Sequence, residues 1–267
     1  SIADYGVQDR WVGNLEGTRE YVRRAVERSL DWTELRVLDP TRGALARQLD
    51  VLRMLKEAFG TETPFIQTIF SPLAQAKNIC GKELLIEHMR TAPDRLMTGL
   101  NTITESTLRF IDAMRRSGVS GIFYAIQHAS YAVISEAEYR EFGRPFDLRI
   151  LEALPEDWWL NVVHLHGSVP MFDLVADYPV QVINWHDRET KPDLAEGKLK
   201  FSGAVSGGIG RWDPMHSGTP VEVRAQARQA IEQTGGRRFI LSTGCVSMTT
   251  TPTSNIRAAR EVVESLS

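Results

Sequence analysis

The sequence predicts an α/β fold of the eight-stranded (β/α) barrel class, and three observations carry that prediction. Short apolar runs alternate with amphipathic stretches along most of the chain, the pattern of strand–helix units joined by right-handed crossovers into a parallel sheet. The length of 267 residues suits one barrel domain. No glycine-rich phosphate loop of the dinucleotide-binding kind follows any of the strands, which disfavours a doubly wound open sheet. The glycines between Gly203 and Gly210 follow a different spacing.

Taken in order, the first sixty residues are the least regular. Leu45, Leu49, Leu52, Leu55 and Phe59 recur at three- and four-residue spacing and predict a helix from Leu45 to Phe59. Pro64 to Phe70 reads as a strand, stopped by Ser71-Pro72. A long helical stretch from about Pro93 to Ser117 leads into a second strand, Gly118 to Ile126. Ser135 followed by Glu138 is a capping-box signature and starts another helix. The third strand is Trp159 to His166, the fourth Pro179 to Trp185 and the fifth Lys200 to Val205. Thr219-Pro220 opens a helix with proline at its first position. Arg238 to Thr243 is the sixth strand, and Asn255 to Leu266 the closing helix. Six strands are two short of a closed barrel. With no Met at position 1, the expectation is one barrel domain over 1–267 whose first two strands lie upstream of Ser1 or are missing.

Composition narrows the function classes. The chain is 42% hydrophobic and 24% charged with a net charge of −3, ordinary for a globular protein with a large core and without the basic footprint of a nucleic-acid binder. Two cysteines, Cys80 and Cys245, are too few for a disulfide framework and fit a reducing, cytoplasmic compartment. No apolar run approaches the ~20 residues of a membrane span. Cys80, at the expected start of a helix, reads as a small packed residue.

Polar groups collect where the strands end. Ser71, Gln127-His128, His164 and His166, His186-Asp187, Ser206-Gly207-Gly208 and Cys245 all follow or close an apolar run. In a barrel those ends converge on the catalytic face. In an extended strand His164 and His166 point to the same face while Leu165 points away. Two imidazoles joined by the Cys245 thiol make a three-ligand zinc site with an open position. The remaining histidines, His88 and His216, fall in helix or loop context and are expected at the surface.

Ser202-Gly203-Ala204-Val205-Ser206-Gly207-Gly208, then Gly218-Thr219-Pro220-Val221-Glu222-Val223, then Gly235 to Leu241, Gly244-Cys245, Thr251-Pro252 and Asn255-Ile256 follow one another in an order that resembles the late-barrel motifs of the uroporphyrinogen decarboxylase superfamily. Phe70-Ser71-Pro72-Leu73 resembles its mid-barrel turn. The resemblance runs from about Pro64 to the end and implies the family's (β/α)8 barrel. It also implies one of two activities. The metal-free decarboxylases place a tyrosine in the turn after Phe70, where this chain has Asn78, and a histidine after the last strand, where it has Cys245. The zinc-dependent methyltransferases, which move methyl groups between a corrinoid protein and a thiol or similar acceptor, use His-X-Cys after the fifth barrel strand and Cys after the eighth. This chain matches at His164 and Cys245 and departs at His166.

The resemblance therefore implies a methyltransferase with zinc on His164, His166 and Cys245, and a corrinoid supplied by a partner protein. Gln127, His128, His186 and Asp187 are expected to orient the small-molecule substrate or fix ligand tautomers, with Ser206, Gly207 and Gly208 offering backbone N–H groups to an anion. A metal-free lyase acting on a carboxylated ring compound and a non-catalytic binding barrel are the alternatives. A homodimer stays open.

Overall fold

The structure is a computed structural model and describes residues 2–60 and 62–265. The chain falls into two compact units. The first comprises Ser1–Arg10, Glu20–His128 and Val133–Asn161; the second comprises Trp11–Arg19, Ala129–Ala132 and Val162–Ser267. Six parallel strands, in the number the sequence predicts, are divided between them.

In the first unit a short antiparallel pair, β1 (Gln8–Arg10) and β2 (Glu20–Arg23), precedes the helix α1 (Gly43–Phe59). Strand β3 (Ile66–Phe70) runs parallel to β4 (Gly121–Ile126), with Ile66 opposite Gly121 and Phe70 opposite Ala125. Between them the chain forms three helices, α2 (Pro72–Cys80), α3 (Lys82–Thr91) and α4 (Pro93–Met114). Helix α2 goes beyond the sequence reading, while α3 begins two residues after the expected start at Cys80. Ser71 caps α2 by accepting the Ala74 N–H, with Pro72 as first residue. Cys80 therefore ends a helix rather than starting one, and it is buried as expected. Helices α5 (Glu136–Phe142) and α6 (Arg144–Leu151) follow β4, α5 opening with the expected reciprocal Ser135–Glu138 box.

His88 is not a surface residue. It is 5% exposed and its Nδ1 accepts the indole N–H of the fully buried Trp32 at 2.9 Å. The same indole explains a glycine inside α4: a Cβ on Gly99 would stand 2.5 Å from the Trp32 ring.

The second unit carries β5 (Val162–Leu165), β6 (Val182–Trp185), β7 (Ala204–Ile209) and β8 (Phe239–Thr243), paired in parallel in that order. The predicted third strand is trimmed: Trp159 is 59% exposed and precedes β5, while His166 lies just beyond it. The predicted fifth strand is displaced. Lys200 ends a helix, α7 (Leu194–Lys200), and the strand runs through Ser206-Gly207-Gly208 instead of ending before them. Asp193 and Glu196 form the capping box that sets α7. Gly197 is required within it because a Cβ would lie 2.4 Å from the Trp185 ring.

Helix α8 (Pro220–Thr234) begins at the predicted Thr219-Pro220 signal, with Glu222 completing the box, and ends at Gly235 in the left-handed region. Helix α9 (Thr253–Glu264) closes the chain; the predicted end at Leu266 lies outside the described residues. Ile209, Met215, Val223, Ala227, Ala258 and Val262 form the apolar core joining β7, α8 and α9. His216 is half-buried, its ring edge-on to Trp212. Among the described residues no helix is long and apolar enough to cross a membrane.

Candidate metal centre

Strand register builds the site. Parallel pairing sets His164 of β5 opposite Asn184 of β6, and Asn184 opposite Ser206 of β7. Asn184 is buried, so each of its polar atoms needs a partner. Its amide nitrogen donates to the carbonyls of Ser206 (2.9 Å) and Thr243 (3.1 Å), which leaves Oδ1 facing His164 Nδ1 at 2.6 Å. An amide oxygen only accepts, so the His164 proton sits on Nδ1 and the lone pair on Nε2. Burial, partly opposed by that bond, lowers the His164 pKa to about 3, and the ring is neutral at physiological pH.

His186 follows β6 directly. Its Nδ1 lies 3.2 Å from Glu189 Oε2, a carboxylate partner that fixes the proton on Nδ1 and frees Nε2. Glu189 in turn accepts from Arg211 Nε at 2.9 Å, and Arg211 Nη1 donates to Glu16 Oε1 at 2.6 Å. Arg211 is only 11% exposed in its side chain. Burial works to raise the Glu189 pKa, but the bonds from His186 and Arg211 outweigh it and hold the group below the usual range. Cys245 follows β8; burial pushes its thiol up, while the Val246 N–H and Arg211 pull it back.

These groups converge. One ligand atom from each of His164, His166, His186 and Cys245 falls within 4.8 Å of all the others. His166 Nδ1 is the hub, 3.4 Å from His186 Nε2 and 3.6 Å from Cys245 Sγ. Tetrahedral zinc with its usual bond lengths has N–N edges of about 3.4 Å and N–S edges of about 3.6 Å. The donor set and these two edges fit a zinc ion. Three imidazoles and one thiolate are also donors that zinc accepts readily.

The three expected ligands are thus brought together, and His186, read from the sequence as an orienting residue, joins them. Asp187 turns the other way. Its Oδ2 accepts the Gly208 N–H at 3.0 Å while its Oδ1 has no partner. Burial raises its pKa to about 6 against the pull of that N–H and of Arg188. A Cβ on Gly207 would come 2.4 Å from Asp187 Oδ1, so the glycine is needed for this approach. The Gly208 N–H expected to meet a ligand anion is therefore engaged by the chain's own carboxylate. Ser206 Oγ pairs with Ser242 Oγ at 2.8 Å. Gln127 and His128 belong to the first unit, where Gln127 accepts from Lys77.

Asn184, Glu189, Arg211 and Glu16 escape the sequence reading. Asn184 had a signal, a polar residue inside an apolar run and two positions before His186. Glu16 and Arg211 are 195 residues apart and had none.

The chain is similar to proteins of two kinds. Over 248 residues the chain is 22% identical to the methylcobamide:CoM methyltransferase MtbA of Methanosarcina mazei, spanning 92% of this chain and 71% of that protein. It is 24% identical over 217 residues to a uroporphyrinogen decarboxylase of Prochlorococcus marinus, covering 78% of this chain and 60% of the relative. Among solved structures, a methyltransferase from Methanosarcina mazei superposes with a TM-score of 0.87 at 18% identity, over 99% of this chain and 77% of that one. The fold is therefore the α/β barrel type of these proteins. Residues 14–266 match the uroporphyrinogen decarboxylase (URO-D) family model, and the chain belongs to that family.

Proposed function

We propose that this protein is a zinc-dependent methyltransferase that accepts a methyl group from a corrinoid held by a partner protein and passes it to a thiol or related acceptor. The observation that carries the reading is the convergence of His164, His166, His186 and Cys245 within 4.8 Å, with two edges of zinc-like length. Similarity to a methylcobamide:CoM methyltransferase supports the corrinoid as donor. A metal-free lyase would have no use for a thiol and three imidazoles turned toward one point.

When bound, zinc supplies Lewis acidity that lowers the pKa of an acceptor thiol, giving a nucleophile at neutral pH. Asn184 holds His164 in the Nε2 lone-pair tautomer, and Glu189 does the same for His186. Arg211, fixed between Glu16 and Glu189, favours the Cys245 thiolate. Three neutral imidazoles and one thiolate leave a divalent ion with net positive charge, which suits an anionic acceptor. His186 leans on Glu189, whose side chain is 44% exposed, and we assign it as the donor that yields its position to an acceptor.

The test is turnover. Purified protein mixed with methylcobalamin and a panel of small thiols should demethylate the corrinoid, with the product methylated on sulfur. The Cys245→Ser variant should lose both zinc and turnover. Wild-type protein that holds zinc yet moves no methyl group to any thiol would refute the assigned reaction while leaving the metal centre standing.

A further inference from the structure

A second cluster of charged groups lies in the first unit and shares no residue with the metal centre. Lys77, in the last turn of α2, donates to Gln127 Oε1 at 2.9 Å. Gln127 and His128 are the two residues that leave the C-terminal end of β4. Arg24 approaches the same end of α2. Its Nη1 donates to the Asn78 carbonyl at 2.6 Å and weakly to that of Lys77, and its guanidinium sits 4.1 Å over the Tyr21 ring. The stacking and the carbonyl bond fix the guanidinium at the end of α2.

The group is rich in donors and holds no acid. Among the described residues no carboxylate pairs with Arg24, Lys77 or Lys82, and the acceptors of Arg24 and Lys77 are backbone carbonyls and one amide oxygen. An ammonium has three N–H donors, of which the Gln127 oxygen takes one; the Gln127 amide nitrogen adds two more. His128 is 2% exposed, and its Nδ1 has no partner. Burial, followed by the nearby Lys77 and Lys82, holds its pKa at about 3, so the ring brings a neutral, hydrogen-bonding nitrogen. Burial and Arg24 likewise pull Lys77 down. Partly buried cations gathered without a counter-charge are costly, and a buried polar atom without a partner adds to that cost. Placing an anion among them removes both.

The geometry points to a subsite in which Lys77, Arg24, Gln127 and His128 bind a small oxyanion, the carboxylate, sulfonate or phosphate group of a ligand. Lys77 and Arg24 supply charge, while the Gln127 amide and the His128 ring supply orientation. A chloride-sized ion would satisfy the charge but not the several divergent donors.

Acetate, methanesulfonate and inorganic phosphate, titrated calorimetrically at fixed ionic strength against the full chain, test the assignment and distinguish the three sources. At least one should bind saturably. Lys77→Met should weaken that binding about 10-fold or more, the worth of a charge-assisted hydrogen bond, and Lys77→Arg should retain it. Gln127→Glu places a carboxylate against Lys77 without removing a packed residue; it should abolish binding and raise the melting temperature. Zinc content, measured alongside, should not change in any of these variants. Saturable binding that survives Lys77→Met or Gln127→Glu, or wild-type protein that binds none of the three anions, overturns the subsite. Neither result bears on the metal centre.

Discussion

Asn184 offers the sharpest test of how the second unit holds its imidazoles. Asn184→Ala removes the acceptor 2.6 Å from His164 Nδ1 and the donor to the Ser206 and Thr243 carbonyls at 2.9 and 3.1 Å. All of this is buried. Leaving the His164 N–H unsatisfied costs about 1–3 kcal/mol. The ring can then turn, or carry its proton on Nε2, where it no longer ligates. Loss of such a support typically lowers metal affinity about 10–100-fold, or about 1.4–2.7 kcal/mol. The assay is competition for zinc against a chromophoric chelator, with circular dichroism to confirm the fold. Asn184→Asp is the informative partner: it keeps an acceptor for Nδ1 but loses the donor to the carbonyls. It should destabilise the fold as alanine does and still hold zinc better. A folded Asn184→Ala protein that binds zinc within about 3-fold of wild type would show that His164 is positioned by something else.

Further outcomes follow from the same structure. Glu189→Ala frees both His186 and Arg211 and should weaken zinc about 10-fold, whereas His164→Ala, which deletes a donor, should weaken it more; both are read by the same chelator titration. Gly99→Ala should lower thermal stability by about 1–3 kcal/mol despite alanine's better helix propensity, because the new Cβ meets the Trp32 ring at 2.5 Å. Glu138 provides a pH test. Its folded pKa is lowered from 4.5 to about 2, chiefly by Arg90 and the Ser135 N–H. A lowered carboxylate stabilises the fold above its unfolded pKa and loses that contribution as pH falls through the window from 4.5 to about 2. Glu138→Gln should therefore melt below wild type at pH 7, by a small margin for a group at the surface, and the two melting curves should merge near pH 2.

The elements with local signals were legible in the sequence. The Thr219-Pro220-Val221-Glu222 start of α8, the Ser135–Glu138 box of α5 and the apolar runs of β3, β4 and β6 are set by nearest neighbours. Helices α2, α3 and α7 were harder. Their sequences are short and polar-rich, and tertiary packing decides them, as Trp32 against His88 of α3 and Trp185 against Gly197 of α7 illustrate. The displacement of β7 has a similar cause: Phe201 to Val205 is apolar enough to read as strand, but the helix capped by Asp193 runs through Lys200. At the site, alternation and strand-end position located His164, His166 and Cys245. They could not say that His186 turns inward, since that depends on the Glu189–Arg211–Glu16 chain across 195 residues. Nor could they show that Asp187, one residue on, would be drawn to Gly208 instead.

X-ray absorption at the zinc edge on protein purified from zinc-supplemented culture tests the central claim most directly. A metal centre built from His164, His166, His186 and Cys245 predicts near-stoichiometric zinc with nitrogen scatterers at about 2.0–2.1 Å and one sulfur at about 2.3 Å, the sulfur shell vanishing in Cys245→Ser. Protein without zinc, or with a sulfur shell unchanged by Cys245→Ser, would contradict it.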